Sequence, residues 1–186
     1  MAKLIYHSTC SLDGFTTDAH GDIDFSEPDR EVSEFVNDSL RPIRTYLFGR
    51  RMYEVMRVWD SAEAVADQPD YIQAYVPIWL SADKIVYTRT LAEPVGPRTQ
   101  IERRFDAPTI RELKETSAHD LLVGGATLAS HALRAGLVDE IQMLVAPVLL
   151  GGGLAMFPSD VRQTLELTEE RQFDSGIVAL NYTVRH

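Results

Sequence analysis

Three short segments carry residue types suited to holding a phosphorylated ligand. Gly124-Gly125-Ala126-Thr127 follows an apolar run and precedes a stretch with helical periodicity. Glycine lets the backbone approach an anion closely, and the first N–H groups of a helix have no partner within it. The segment reads as a pyrophosphate cradle, or as a tight turn that needs glycine for packing. It is neither G-x-G-x-x-G nor a P-loop, because no G-K-[ST] follows. Around Gly49, residues 39–58 hold Arg41, Arg44, Arg50, Arg51 and Arg57 against Glu54 alone, a local charge of +4 in a chain of net charge −10. Arg50 and Arg51 open a helix, where positive charge gains nothing from the helix dipole. A guanidinium fork there suits two phosphate oxygens, although salt bridges to acidic segments would also use it. Thr88-Arg89-Thr90 ends a further strand with a guanidinium between two hydroxyls, which fits a second phosphate contact such as a ribose 2′-phosphate.

The opposite charge gathers earlier. Residues 11–38 carry Asp13, Asp18, Asp22, Asp24, Glu27, Asp29, Glu31, Glu34 and Asp38 against Arg30, a local charge of −8. Most of these read as a solvated loop and helix face. One or two are candidates to recognise an amino-heterocycle or to donate a proton. His7, His20, His119, His131 and His186 show no metal-ligand spacing, and the single Cys10 excludes an internal disulfide and a multi-cysteine zinc site. No G-x-S-x-G is present, so nucleophilic hydrolysis has little support. Gly151-Gly152-Gly153 reads as a flexible turn or as backbone that meets a ligand.

The elements that must position these residues follow from periodicity. A strand is expected over residues 3–10. A helix beginning near Ser26-Glu27-Pro28-Asp29 presents Val32, Phe35, Val36 and Leu40 on one face. Residues 45–48 read as a buried strand ending at Gly49, followed at once by a helix over 50–58. Shorter elements follow: a helix near 70–76, strands over 84–88 and 98–105, and a helix over 108–115. A strand over 120–123 leads into a helix over 126–135, closed by Gly136. A strand over 140–146 is ended by Pro147. The tail reads as a hairpin, 165–173 and 177–184, around Asp174-Ser175-Gly176. This alternation predicts an α/β fold with a mainly parallel central sheet flanked by helices and an antiparallel C-terminal hairpin. Ligands in such sheets bind at the carboxyl ends of strands, where all three phosphate-suited segments fall.

Composition bounds the rest. With 186 residues, 45% hydrophobic and 25% charged, the chain fits a single domain over 1–186. Its acidity disfavours nucleic acid and anionic membranes as partners. No signal peptide or spanning stretch is read at the N-terminus, so the default compartment is the cytoplasm.

Taken together, the pieces resemble the dihydrofolate reductase-like superfamily, and within it the C-terminal reductase domain of the bifunctional riboflavin deaminase-reductase. The resemblance covers nearly the whole chain. It rests on Ser11-Leu12-Asp13-Gly14, Leu47-Phe48-Gly49-Arg50-Arg51-Met52-Tyr53, Val123-Gly124-Gly125-Ala126-Thr127-Leu128, Gly136-Leu137-Val138-Asp139-Glu140 and Ala146-Pro147-Val148-Leu149-Leu150-Gly151-Gly152-Gly153. It implies hydride transfer from NADPH to a pyrimidine or pterin-like substrate, such as 5-amino-6-(5-phosphoribosylamino)uracil. It also implies that Gly49, Arg50 and Arg51 sit near the adenosine phosphates, and that Thr88 and Arg89 meet the 2′-phosphate side. Gly124, Gly125, Ala126, Thr127 and Leu128 match the pyrophosphate cradle, and Thr9 lies beside the nicotinamide. Asp13 and one of Asp29, Glu31 or Glu34 are the implied polar contacts to substrate.

No H-x-E with P-C-x-x-C occurs, so a free-standing reductase without the deaminase partner is expected. The tryptophan common before the first helix of dihydrofolate reductases is replaced by Asp22-Ile23-Asp24. A nucleotide-binding module for NADPH or a flavin nucleotide without turnover, dihydrofolate reduction, and a structural protein whose basic cluster pairs with acidic segments stand as alternatives. Relatives are commonly homodimers, with the strand around Gln142–Val145 as the expected contact edge.

Overall fold

The computed structural model describes residues 1–185; His186, one of the histidines considered above, lies outside them. Ten strands and six α-helices are found among the described residues. They are β1 (Leu4–Ser11), β2 (Phe15–Thr17), α1 (Arg30–Leu40), β3 (Thr45–Gly49), α2 (Arg50–Met56), α3 (Asp70–Gln73), α4 (Val76–Ser81), β4 (Asp83–Tyr87), β5 (Thr99–Glu102), α5 (Ala107–Thr116), β6 (Leu121–Gly124), α6 (Ala126–Arg134), β7 (Glu140–Ala146), β8 (Leu154–Ala155), β9 (Thr164–Gln172) and β10 (Val178–Arg185). Eight strands form one sheet in the order β5-β4-β3-β6-β1-β7-β10-β9. The first six strands are parallel, and β10 runs antiparallel to both β7 and β9. The expected parallel sheet with an antiparallel C-terminal hairpin is what forms.

The central strands are buried on both faces, which is why they read as apolar runs rather than alternations. On one face Leu4, Tyr6, Leu47, Leu121, Val123 and Ile141 pack under α5 and α6. On the other, Ile5, Tyr46, Phe48, Val86 and Leu122 pack with Leu40, Tyr53, Tyr75 and Trp79. Beside this second core Val32 of α1 meets Leu144, Phe173 and Ala179.

Helix ends follow local chemistry. α1 begins at Asp29, whose side chain accepts from Val32 N at 2.9 Å. The expected start at Ser26 is corrected: Ser26 closes a short 3-10 turn and donates to Ile23 O at 2.6 Å. α6 ends as expected at Gly136 (φ 61°), where Gly136 N donates to Leu133 O and Leu137 N to Ala132 O. The helix expected near 70–76 is instead two, α3 and α4, the second carrying Pro77 in its first turn. The pairing of β2 with β8 has no counterpart in the sequence reading; both strands are too short to leave a periodic signal. The expected contact edge at Gln142–Val145 is also corrected, because β7 lies between β1 and β10 and has no free edge. No helix among the described residues is long and apolar enough to cross a membrane.

One contact limits the sheet's carboxyl edge. Phe48 and Gly124 are opposite one another on β3 and β6. A Cβ on Gly124 would lie 2.2 Å from Phe48 Cε1, and the Phe48 ring is itself stacked on Trp79 at 5.9 Å and 22°. Gly124→Ala is therefore expected to overpack this site and lower unfolding stability by about 1–3 kcal/mol, measured by urea denaturation against the parent.

Candidate functional site

Gly49, Tyr87 and Gly124 end three adjacent strands, β3, β4 and β6; Gly49 is level with Tyr87, and Gly124 stands one residue short, opposite Phe48. Segments far apart in sequence thus converge as the phosphate reading requires. Gly49 caps α2 without a side chain, and a Cβ there would meet nothing within 4 Å. Gly125 caps α6 at φ 83°, again with no side-chain cap. Its carbonyl accepts from Ala129 N at 3.0 Å, the first bond of the helix. The N–H groups of Ala126, Thr127 and Leu128 therefore precede the ladder. Leu128 contributes by backbone alone, since its side chain is in the core.

The cationic residues divide into two kinds. Arg50 is already committed: Nε pairs with Glu54 at 2.9 Å and a terminal nitrogen donates to Thr90 Oγ1 at 2.7 Å. Arg51 and Arg89 are exposed, and no hydrogen bond or ion pair among the described residues holds either. The Thr88 hydroxyl is buried and accepts from Thr90 N and Leu91 N, both at 3.2 Å, so it shapes the loop instead of facing a ligand. Arg103, absent from the sequence reading, donates to Leu91 O at 2.7 Å and Ala92 O at 3.1 Å and fixes that loop from beyond β5. Nothing in the sequence but its place after a strand would have singled it out.

A crevice opens next to this cluster. β1 pairs with β6 only over Leu4–Tyr6, but with β7 over Ile5–Ser11. From His7 onward the β6 side of β1 has no strand beside it, because the chain of β6 turns into α6 at Gly125. Thr9, half-buried, lies on this stretch. The crevice sits at the switch point of the sheet, where ligands in open α/β sheets bind.

The acidic candidates do not gather in it. Asp13 is an acceptor on both oxygens: Oδ1 takes Ser11 Oγ at 2.6 Å and Leu150 N at 3.1 Å, and Oδ2 takes Gly151 N at 2.7 Å. The Ser11 hydroxyl first, then these amides, hold its carboxyl below the usual carboxylate range, which makes it an ionised staple between two loops and a poor proton donor. Asp29 is spent capping α1. Glu31 points to the far edge of the sheet, paired with Arg171 of β9 at 2.7 Å, and Glu34 lies 3.4 Å from Arg30. In the structure each of these carboxylates already has a protein partner. The polar side chains that α1 buries are instead Asn37, whose Nδ2 donates to Tyr71 O at 3.2 Å, and Ser33, whose Oγ has no hydrogen-bond partner among the described residues.

Comparison with known proteins shows the family and the fold. Residues 2–179 match the RibD C-terminal domain. The uncharacterised protein YyaP of Bacillus subtilis strain 168 is 30% identical over 185 residues, covering 97% of this chain and 94% of that protein. The riboflavin biosynthesis protein RibD of Corynebacterium ammoniagenes is 45% identical over 168 residues, covering 84% of this chain but 46% of that protein. The solved dihydrofolate reductase of Enterococcus faecalis, in complex with NADP(H), superposes with a TM-score of 0.62 at 12% identity over 99% of this chain and 97% of that one. The fold is therefore dihydrofolate reductase-like.

The Asp13 staple has a pH signature. A carboxylate whose folded pKa is depressed stabilises the fold above its unfolded value, near about 3.9, and loses that contribution as pH falls through the folded value. Asp13→Asn should lower urea-unfolding stability at neutral pH, with a smaller deficit at about pH 3. An equal deficit at both pH values would show that the charge is not what ties the loops.

Proposed function

Because the chain belongs to the RibD C-terminal domain family, we propose that it is an NADPH-dependent reductase delivering hydride to a pyrimidine or pterin-like acceptor, in the manner of 5-amino-6-(5-phosphoribosylamino)uracil reductase. The observation that carries this reading is the convergence of Gly49, Gly125 and the unpaired guanidiniums of Arg51 and Arg89 on three neighbouring strand ends beside the open edge of β1. The residues present fit the cofactor. The side-chain-free surface at Gly49 admits a phosphate, the first-turn N–H groups of α6 are donors to it, and two free fork-shaped cations are placed for further phosphate oxygens. NADPH, when bound, supplies the hydride. The chain's part is to bind and orient it, to hold the acceptor against the exposed length of β1, and to keep water out.

Protonation is proposed to come from solvent, since Asp13, Asp29 and Glu31 are all engaged as acceptors elsewhere. The same placement favours a pyrimidine over a folate acceptor: no candidate carboxylate of α1 is free to pair with an amino-heterocycle in the crevice. We also propose, from the resemblance alone, that the enzyme is a cytoplasmic homodimer, checked by sedimentation equilibrium.

Calorimetric titration with NADPH and with NADH is the test, followed by loss of reduced-nicotinamide absorbance across a panel of pyrimidine ribosyl phosphates and dihydropterins. NADPH should bind more tightly than NADH. Arg51→Ala and Arg89→Ala should each weaken NADPH about tenfold, as expected for losing one charge-assisted contact. Gly49→Ala should leave unfolding stability unchanged while weakening NADPH, because its Cβ occupies only the space a ligand would take. Binding of neither nucleotide would overturn the reading, and binding without turnover on any acceptor would favour a nucleotide-sensing module.

A further inference from the structure

Charge is divided unequally between the two sides of the crevice. On the side of β3 and β4 stand Arg51 and Arg89, exposed and without a partner among the described residues. On the side of β1 and β7, residues 12–29 hold Asp13, Asp18, Asp22, Asp24, Glu27 and Asp29 and no lysine or arginine. Residues 135–161 hold no lysine or arginine either. The flanking cations are committed or distant. Arg30 pairs with Asp70 at 2.6 Å and Arg134 with Asp160 at 2.9 Å. Lys3 pairs with Glu140 at the amino end of β1. Arg162 shortly precedes Thr164, which lies opposite Arg185 at the end of β10, toward the amino end of β7.

The same side is apolar where it meets solvent. Leu12 and Leu149 are 65% and 70% exposed, more than any other large hydrophobic side chain among the described residues except Met1. They follow the carboxyl ends of β1 and β7, which pair as far as Ser11 and Ala146. Leu12 N donates to Val148 O at 2.8 Å, so the two leucines stand on adjoining loops. Phe157, also exposed, lies edge-on to Tyr6 at 6.1 Å, and Tyr6 is the last residue of β1 with β6 beside it. These loops are held in place. Asp13 ties them at Leu150 N and Gly151 N, Met156 N donates to Gly14 O at 2.9 Å, and β2 pairs with β8. Fixed apolar surface beside a crevice suits the face of a flat heterocycle.

We propose that the acceptor carries no phosphate: it is an uncharged or cationic pyrimidine or pterin-like heterocycle whose apolar flank lies on Leu12 and Leu149. The proposal rests on the reductase reading above and narrows its acceptor. A phosphate brought to this side would leave water for carboxylates and leucine methyls, with no free guanidinium or ammonium to receive it. Two backbone substitutes are already in use. Leu150 N and Gly151 N donate to Asp13, and the positive end of α1 is capped by the Asp29 carboxylate. The cationic side is the one proposed to hold the nucleotide's own phosphates, so an acceptor phosphate would have to compete for Arg51 and Arg89. At the reacting centre the acceptor's C=N or C=O carbon takes a hydride, NADPH leaving as NADP⁺, and its nitrogen or oxygen takes a proton from water.

Two matched pairs are the probes: 5-amino-6-ribosylaminouracil with its 5′-phosphate, and 7,8-dihydroneopterin with its 3′-phosphate. NADPH binding to the full chain is measured first, and each probe is then titrated by calorimetry into the chain saturated with NADP⁺. The phosphate-free member of at least one pair is expected to bind about tenfold more tightly than its phosphorylated partner. Leu149→Arg should tighten the phosphorylated member about tenfold, with the urea midpoint unchanged because the side chain is exposed. A phosphorylated member that binds the parent as tightly as its partner, or more tightly, overturns the proposal. So does a chain that binds NADPH but neither member of either pair. If Leu149→Arg and Leu12→Arg both leave the preference unchanged, the two leucines do not face the acceptor. Failure of the reductase reading itself is a separate result, the absence of NADPH binding at the first step.

Discussion

The contact between the Phe48 ring and the backbone of Gly124 governs the functional edge of this sheet. Only a residue without Cβ can stand opposite that ring, so β6 must end in glycine where β3 ends. Gly125 follows with positive φ and turns the chain into α6 at once. An early exit of β6 has two consequences. It leaves β1 without a neighbour beyond Tyr6, which is the crevice, and it points the uncapped start of α6 at the mouth of that crevice. A core packing constraint and a ligand-binding geometry are thus one feature. Trp79, stacked on Phe48, and Tyr46, tilted against both, keep the ring from yielding.

Charge is distributed to suit that edge. A chain of net charge −10 repels phosphates at long range, so an anion must be attracted locally. The acidic surplus of residues 11–38 is largely consumed in structure: Asp13 staples two loops, Asp18 accepts from His20 N and Asp22 N, and Asp29 caps α1. Arg50 is likewise absorbed by Glu54 and Thr90, and Arg103 by carbonyls. What remains unneutralised at the strand ends is the pair Arg51 and Arg89. Selectivity among similar guanidiniums comes from which ones the fold has already paired.

Much of the fold was legible because its signals are local. Apolar runs flanked by glycine marked β3 and β6, Gly136 marked the end of α6, and Asp174-Ser175-Gly176 marked the final turn. The strand-to-helix junctions at Gly49 and Gly124-Gly125 were legible for the same reason, since glycine marks such a turn locally. The acidic residues were not. Nothing in the spacing of Asp29, Glu31 and Glu34 says which way the helix faces its neighbours, and the partner that decides it, Arg171, lies 140 positions from Glu31 in sequence. Arg103 was missed because its partners are carbonyls of a loop whose path only the folded chain defines. The short β2 and β8 were missed because pairing between distant loops leaves no periodicity.

The polar row under α1 follows from the same division between local and long-range signals. His7, Gln142, Asn181 and Glu169 come from four strands, and no pattern within any one strand marks them as neighbours. Alternation would put a nonpolar residue at each position if the face were only a packing surface. Register holds the four side by side instead. The two outer members satisfy each other, and the inner two, His7 and Gln142, are placed to do the same, a His7 N–H donating to the Gln142 side-chain oxygen. Polar side chains paired across strands in this way hold register where an apolar surface would tolerate slippage.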